Sequence, residues 1–322
     1  MLTRTSRNPT LPAVPSSPAT PRPNPRPFRL AALALGLLLL PGVARGAAWT
    51  REPGEIYAKA SASWLRASEM YDDDGEVGPV QDSVLYSEPT YRELSASLYL
   101  EYGLHRVLTL VASLPLKYAR QDAAGRFGVP DIEGETFELG TARLGVRVPL
   151  HRGNWRASLE PEWTLPLYGD PDRVEDPLLG TGFMDLGAAV SLGTGIPSIS
   201  GYAQGTAGYR IRGGSTPEES YWDVELGSEP RPRLMLRVRY DGLSSRGRLT
   251  DVPAGGAPAP GLGGQDHHRI APTVAIGTGG GAELSLTWRR VVDGRSTLRS
   301  SEWELAFAFL GLVRAAADGP GD

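Results

Sequence analysis

The stretch Tyr91–Tyr118, YRELSASLYLEYGLHRVLTLVASLPLKY, decides the fold, because its side chains separate by parity into two faces. From Leu94 to Tyr102 every second residue is apolar and the residues between them are polar, and the alternation resumes from Leu108 after a short turn. A period of two is typical of β-strands, whose successive side chains leave opposite faces. Each strand is about 11–13 residues long, and a tilted strand needs about 9–11 to cross a bilayer core. The stretch therefore predicts a transmembrane β-hairpin.

Residues 1–48 predict a secretory signal peptide. They contain six arginines and no acidic residue, and the apolar run Leu30–Leu40 is followed by the small residues of Ala44–Ala48. This order of basic, apolar and small residues is typical of a cleaved leader. The apolar run is too short for a spanning helix, which needs about 20 residues, so a retained anchor is the lesser alternative. We expect a barrel domain at residues 49–311 and a short C-terminal tail at residues 312–322.

Composition excludes several classes of protein. The chain has 322 residues and no cysteine, which rules out disulfides, thiol nucleophiles and thiolate metal sites. Residues after the leader carry 27 basic and 37 acidic side chains, a balance that argues against a nucleic-acid partner. No later run approaches the about 18 apolar residues of a membrane-spanning helix. A secreted chain that can cross a membrane only with strands points to the bacterial outer membrane, with its lipid and its barrel-assembly machinery as partners.

The same alternation recurs along the whole chain and predicts an all-β, up-and-down antiparallel barrel of about twelve strands, with ten to fourteen possible. Strand four is expected at Thr136–Leu150, and strand eight, at Tyr221–Leu226, is expected to be short and weak. Long loops are expected at Ser68–Pro89 and Ser244–Asp266. An even strand number places both termini in the periplasm. The alternative is a soluble β-sandwich whose aromatic residues form an ordinary core.

Charged residues of both signs fall on the polar face and are the candidates for lining the barrel lumen. Facing acidic and basic rows would orient a solute in a pore; the alternative, which we favour for most of them, is that ion pairs fill a narrow barrel. The candidates are Glu93, Glu101, Arg143, Arg147, Arg156, Glu160, Glu162, Arg237, Arg239, Glu283, Arg289, Glu302 and Glu304.

Large aromatic residues near the ends of strands are the candidates for the two girdles that flank the apolar belt of an outer-membrane barrel. They are Trp64, Tyr102, Tyr118, Trp155, Trp163, Tyr240, Trp288 and Phe307.

No catalytic, cofactor-binding or metal-binding residue is predicted. The chain has four histidines, and none has a serine and an acid or amide partner in a recognisable motif. Asp266-His267-His268 would need further ligands to hold a metal, and Asp72–Asp74 lacks the first and last carboxylates of a calcium loop. These segments are better interpreted as solvated loops.

Four segments resemble a known family. They are LYLEYGLHRVLTLVASLPLKY at residues 98–118, AWT at 48–50, GEIY at 54–57 and GFMDLG at 182–187. The pattern is similar to that of the bacterial outer-membrane barrels named for the meta-pathway of phenol degradation, which the XagA-like proteins share. The resemblance implies a barrel that passes small molecules, hydrophobic ones among them, with no catalytic residues. The chain departs from the usual barrel ending by continuing past Phe309.

Three functions follow as hypotheses. The first is a passive channel for a small solute. The second is a plugged barrel with a structural or surface-interaction role, for which the long loops would be the contact sites. The third is an outer-membrane hydrolase, which the missing nucleophile–base pair disfavours.

Overall fold

The computed structural model describes residues 48–80, 86–167, 177, 179–180, 182–214, 216–246 and 264–312. Residues 1–47 of the predicted signal peptide lie outside the described residues, and so do the cleavage sites predicted before residue 48. Residues 313–322 of the predicted tail also lie outside them. So does most of the loop expected at Ser244–Asp266.

Twelve long strands make up most of the described chain. They are β1 (Glu55–Ala67), β2 (Tyr86–His105), β3 (Leu108–Gly125), β4 (Ile132–Leu139 and Thr141–Arg152), β5 (Trp155–Pro166), β6 (Asp185–Ile196), β7 (Gly201–Ile211), β8 (Glu218–Arg231), β9 (Leu234–Arg246), β10 (Asp266–Gly279), β11 (Ala282–Arg295) and β12 (Ser301–Leu312).

The strands close into a ring. Each strand is antiparallel to the next in chain order, and β1 pairs with β12 from Glu55↔Leu312 to Arg66↔Ser301. Closure by the β1–β12 pair suits a lipid environment, which offers no water to satisfy backbone groups, although the first segment of β4 (Ile132–Leu139) pairs with β3 alone. The prediction of a closed, antiparallel barrel of twelve strands is confirmed.

The two ends of the barrel differ in their connections. The turns after β2, β4, β6, β8 and β10 span two to four residues, as at Arg106-Val107 and Gly280-Gly281, whereas the connections after the odd-numbered strands are longer. Gly279, Gly280 and Gly281 all have positive φ, which explains the run of glycines at this turn. Outer-membrane barrels place short turns in the periplasm and long loops outside, so we name the two ends accordingly.

The outer surface of the barrel is apolar and the inner surface is polar. Large apolar side chains such as Leu98, Leu114 and Leu286 are exposed, although they belong to regular strands. The alternate residues on the same strands are buried and polar, among them Glu101, Thr109 and Thr287. This inverts the arrangement of a soluble β-sandwich, which packs its apolar face inside, so that alternative is wrong.

Strand four differs from its prediction as one uninterrupted strand, because it is broken at Gly140. The first segment of β4 pairs with β3 from Leu116 onward and the second pairs with it up to Ser113. Pro115 lies between these points and has no N–H to donate to the ladder, although its carbonyl still accepts from Gly140 N at 2.8 Å. Proline thus sets the position of the break.

Strand eight was predicted to be short, and this is wrong. β8 runs for 14 residues from Glu218 to Arg231. The predicted loop Ser68–Pro89 also contains structure: Glu69–Tyr71 and Val77–Pro79 form a three-stranded sheet with Thr297–Leu298. β2 begins at Tyr86, inside the same predicted loop.

None of the described helices could cross a membrane by length and apolarity. In these residues the helical structure consists of one 3-10 turn, Pro197–Ile199, between β6 and β7.

Candidate functional site: the barrel interior

The barrel encloses a cavity of about 680 Å³, which lies in the usual size range of small-molecule sites. Side chains of eleven of the twelve strands border it, and many of them are charged groups of both signs. The charged members are Lys59, Arg143, Arg147, Glu160, Glu162, Arg210, Asp223, Arg239, Asp241, Arg269 and Glu304. Hydroxyl groups come from Tyr57, Tyr99 and Tyr221.

The segment 48–54, which precedes β1, crosses the interior at the periplasmic end. Arg51 N donates to Thr109 Oγ1 on β3 at 2.8 Å, and Arg147 Nη1 on β4 donates to the Trp49 carbonyl at 3.1 Å. The Trp49 ring meets the ring of Tyr202 on β7 edge-on, with centroids 5.9 Å apart. The segment therefore contacts opposite walls and forms a floor, which we call the N-terminal plug.

Two glycines make room for the N-terminal plug. A Cβ at Gly193 on β6 would lie 2.7 Å from the Trp49 ring, and a Cβ at Gly103 on β2 would lie 1.9 Å from the Glu52 carbonyl oxygen. Both distances are too short for a real contact. The wall is shaped to accept the plug.

A continuous row of ion pairs rises from the N-terminal plug toward the extracellular end. Each neighbour in the row lies within 4.0 Å of the next, and acids alternate with bases. The order is Arg51, Glu101, Arg147, Glu160, Arg143, Glu162, Arg210, Glu219, Arg212 and Asp185.

The lower part of this row is deeply buried. Arg147 is 2% exposed and contacts Glu101 at 2.9 Å and Glu160 at 2.7 Å. Tyr99 also donates its hydroxyl to Glu101 at 2.6 Å. A buried charge is tolerated only with its partners in place, so each of these groups depends on the others.

An apolar cluster lies at the extracellular end, beside β1, β2 and β3. Ala67, Tyr91 and Ala119 contribute from the barrel wall, whereas Val80 and Leu298 contribute from the loops that carry the three-stranded sheet. The loops are joined to each other by hydrogen bonds, including Ser296 N to the Asp72 carbonyl at 2.9 Å. We call this group the extracellular apolar cluster.

The lumen candidates all lie in the inward-facing rows of their strands, but they separate into groups. Six of them border the cavity: Arg143, Arg147, Glu160, Glu162, Arg239 and Glu304. Glu101 lies against the N-terminal plug. Four more candidates form two ion pairs on the barrel wall: Arg237 pairs with Glu283, and Arg289 pairs with Glu302 at 2.7 Å.

The two remaining lumen candidates lie apart. Glu93 pairs with Lys117 at 3.0 Å. Arg156 is half-buried in the row of Glu160 and Glu162, and within the described chain no acid lies in ion-pair contact with it. A role for any of the thirteen in contacting a solute stays a prediction.

Several charged residues of the interior were absent from the candidates. Glu219 was missed because strand eight was predicted to begin at Tyr221, whereas Asp223 lies inside the predicted strand and was left out of the candidates. Glu219, Tyr221, Asp223 and Glu225 alternate with less polar residues and carry the signal. Arg51 lies before the first strand, where a pattern of alternation gives no information.

The aromatic candidates lie on the outer face of the barrel. Trp64, Tyr102, Trp155, Trp163, Tyr240 and Phe307 are exposed, and Tyr118 and Trp288 are partly buried. One further aromatic residue, Trp303, was missed. It pairs across the strands with both Trp64 and Trp288, so that three tryptophans of β1, β12 and β11 stand in one row. Their role as membrane girdles stays a prediction.

In the residues that the structure describes, no group of three or more histidine, aspartate or glutamate side chains could hold a metal ion. His267 borders the cavity, while His268 stacks on Tyr240 with ring centroids 6.0 Å apart.

This architecture is that of outer-membrane barrels. The COG4313 outer membrane channel from Pseudomonas putida F1 superposes with a TM-score of 0.63 at 13% identity, over 84% of this chain and 100% of that one. At that identity the likeness establishes the fold alone. No protein-family model and no curated protein matches the chain.

Two more distant barrels have lower TM-scores. The NanC porin reaches 0.43 at 7% identity over 78% of this chain and 98% of its own. The translocator domain of the autotransporter NalP from Neisseria meningitidis reaches 0.41 at 11% identity over 88% and 94%. The chain is thus a closed twelve-stranded barrel of the outer-membrane type.

Proposed function

We propose that the protein is an outer-membrane channel through which small water-soluble molecules diffuse. The observation that supports this is the cavity of about 680 Å³, with its charged lining, inside a barrel whose outer surface is apolar. A twelve-stranded barrel lies between small barrels that side chains fill and porins that leave a wide aqueous channel.

We further propose that the N-terminal plug is the gate. It contacts β2, β3, β4 and β7 at the periplasmic end, through hydrogen bonds, the Trp49–Tyr202 ring contact and the buried ion pair of Arg51 with Glu101, so opening the gate must break that ion pair. Displacing a short terminal segment disturbs no strand of the barrel. A plug of this kind can therefore leave the lumen without unfolding the ring.

The family resemblance implies hydrophobic solutes, and membership of that family remains a proposal. The charged lining favours a polar solute instead, because an apolar molecule in this cavity would desolvate charged groups without pairing them. The cavity would then exclude hydrocarbons and admit ions or polar metabolites.

A plugged barrel without transport is the second candidate. The extracellular apolar cluster and the N-terminal plug support it, because each packs side chains against the inner wall at one end of the barrel. Single-channel conductance in planar bilayers separates the two functions, using protein whose gel mobility shifts only on boiling and is therefore folded. Current above the bilayer background supports the channel; silence from folded protein supports the plugged barrel.

The remaining features of the proposal concern processing and partners. We propose that residues 1–48 are removed on secretion, that barrel-assembly machinery inserts the barrel, and that outer-membrane lipid surrounds it. The barrel has no nucleic-acid partner and no hydrolase activity in this proposal. N-terminal sequencing of protein from outer-membrane fractions tests the cleavage, and lipase assays on the same material test the absence of hydrolysis.

A further inference from the structure

The ion pairs that border the cavity are asymmetric in their exposure. The side chains of Lys59, Arg143, Arg239 and Arg269 are between 32% and 46% exposed. Their acidic partners are between 1% and 13% exposed; these are Glu160, Glu162, Asp223, Asp241 and Glu304. These four bases are therefore more exposed to the cavity than their acidic partners; the other two bases on its wall, Arg147 and Arg210, are 2% and 24% exposed.

The hydrogen bonds explain why the acids are withdrawn. Glu162 accepts from Tyr221 Oη at 2.8 Å and from Arg210 Nη2 at 3.3 Å, in addition to its contact with Arg143. Glu160 is held between Arg143 and Arg147. A carboxylate with several donors has little accepting capacity left for a solute.

The bases keep donors to spare. A guanidinium has five N–H groups, and one carboxylate engages only two of them. Arg239 is the clearest case, since it is 46% exposed and reaches Asp223 at 3.4 Å and Asp241 at 3.9 Å. These separations are longer than a good N–H···O hydrogen bond, which leaves the group able to bind something else.

The charge of the groups exposed to the cavity does not follow the net charge of the whole chain. The residues after position 48 carry more acids than bases, yet the most exposed charged groups on the cavity wall are cationic. Low-dielectric walls strengthen the field of such groups.

From this arrangement we propose that the cavity selects small organic anions, such as monocarboxylates, and that Arg239 and Lys59 provide contacts to the carboxylate. The proposal rests on the channel function above and deepens it by naming the class of solute. The volume of the cavity sets an upper limit on the size of the solute, and the exposed bases determine the sign of its charge.

The test uses full-length protein and compares Arg239→Gln, Lys59→Gln and the double variant with wild type. These two bases are suitable because their acidic neighbours have a second basic partner. After Arg239 is replaced, Asp241 still has Arg269 at 2.7 Å; after Lys59 is replaced, Glu304 still has Arg289 at 3.6 Å. The control is Arg126→Gln, which removes the same charge from an exposed loop position outside the cavity.

In a salt gradient, the zero-current potential of wild type is expected to show a preference for chloride over potassium. Each substitution should shift the zero-current potential in the direction of a weaker preference for chloride over potassium, and the double variant should shift it most. Arg126→Gln should leave the potential unchanged. A preference of wild type for potassium would overturn the proposal, as would an equal shift in the control.

A binding measurement keeps the inference testable if no current is seen. Calorimetry on the detergent-solubilised barrel should detect butyrate and not butylammonium, with a several-fold weaker affinity for butyrate in Arg239→Gln. Binding without current would sink the channel function and leave anion recognition standing. Current without butyrate binding or chloride preference would sink anion recognition and leave the channel standing.

Discussion

Arg147 of β4 donates from Nη1 to the main-chain carbonyl of Trp49 at 3.1 Å and thereby joins the barrel wall to the N-terminal plug. The same side chain contacts Glu101 at 2.9 Å and Glu160 at 2.7 Å. One buried base thus links the floor of the cavity to the row of ion pairs above it. If the N-terminal plug is the gate that we propose, Arg147 affects both gating and stability of the barrel.

Replacing Arg147 by methionine should lower the free energy of unfolding by about 3–5 kcal/mol, because two buried carboxylates lose a partner. The same change should raise conductance, since the N-terminal plug loses its bond to the wall. Urea unfolding in detergent and single-channel recording measure the two effects. Arg152→Met, on the same strand but exposed, should have little effect on stability; because Arg152 Nη2 donates to Thr50 Oγ1 at 3.3 Å, it is a control for stability and not for conductance. An Arg147→Met barrel as stable as wild type would contradict the proposed linkage.

Gly193 offers a way to displace the N-terminal plug without removing a charge. In Gly193→Val the new side chain would clash with Ala48 and Trp49, whose nearest atoms lie 2.7–2.8 Å from the added Cβ. Valine suits a strand, so the barrel itself should persist. We expect a larger conductance with an unchanged shift in gel mobility on boiling.

Gly195→Val is the matched control, because it lies on the same strand and nothing stands within 4 Å of its added Cβ. Its conductance should equal that of wild type. If both variants conduct as wild type does, the N-terminal plug is not the gate.

The sequence predicts the ring of strands well. In a closed barrel, successive side chains alternate between the apolar outside and the polar inside, and this alternation gives the sequence a period of two. It fails to give the length of β8, because the consecutive polar residues Glu218, Glu219 and Ser220 interrupt the alternation at the start of the strand. The break at Gly140 follows from Pro115, but it depends on which residue of the neighbouring strand stands opposite. Register of that kind is a property of pairs of strands.

The interior was predictable only in part for a related reason. Parity assigns Arg143 and Glu160 to the inner face, but it does not say which base meets which acid or how far each is withdrawn. The asymmetry between Arg239 and Asp241 arises from several strands at once. The N-terminal plug has no periodicity, and its role becomes visible only when Trp49 is seen against Tyr202.

The row of three tryptophans should contribute to stability in a bilayer. Trp303 pairs with Trp64 and Trp288 on its two neighbouring strands, and its ring lies 6.4 Å from that of Trp288. Trp303→Ala should lower the free energy of unfolding by about 1–3 kcal/mol, as the aromatic contacts and the interfacial ring are lost. Unfolding by urea in lipid vesicles measures it.

Leu305→Ala serves as the comparison, because Leu305 is exposed on the same face of the same strand and lies nearer the middle of the apolar belt. It should cost less than Trp303→Ala. An equal or larger cost would contradict a girdle role for the tryptophan row.

The extracellular apolar cluster should be what holds the outer loops over the barrel. Leu298 is 7% exposed there and lies in the strand that pairs with Glu69–Tyr71. Leu298→Asp would bury a carboxylate among Val80, Tyr91 and Ala119, at a cost of at least about 2 kcal/mol unless the loops open. Opening is the easier response, because the loops are joined to the wall mainly by this cluster, whereas the strands are joined by full ladders. We therefore expect faster proteolysis within residues 69–80 and larger conductance, with the barrel still folded on a gel.

Phe127→Asp is the control, because it makes a similar apolar-to-acidic change at a loop position that is 86% exposed, where positive φ suits aspartate. It should alter neither the proteolysis nor the conductance. Loops that stay resistant in Leu298→Asp would show that another contact holds them closed.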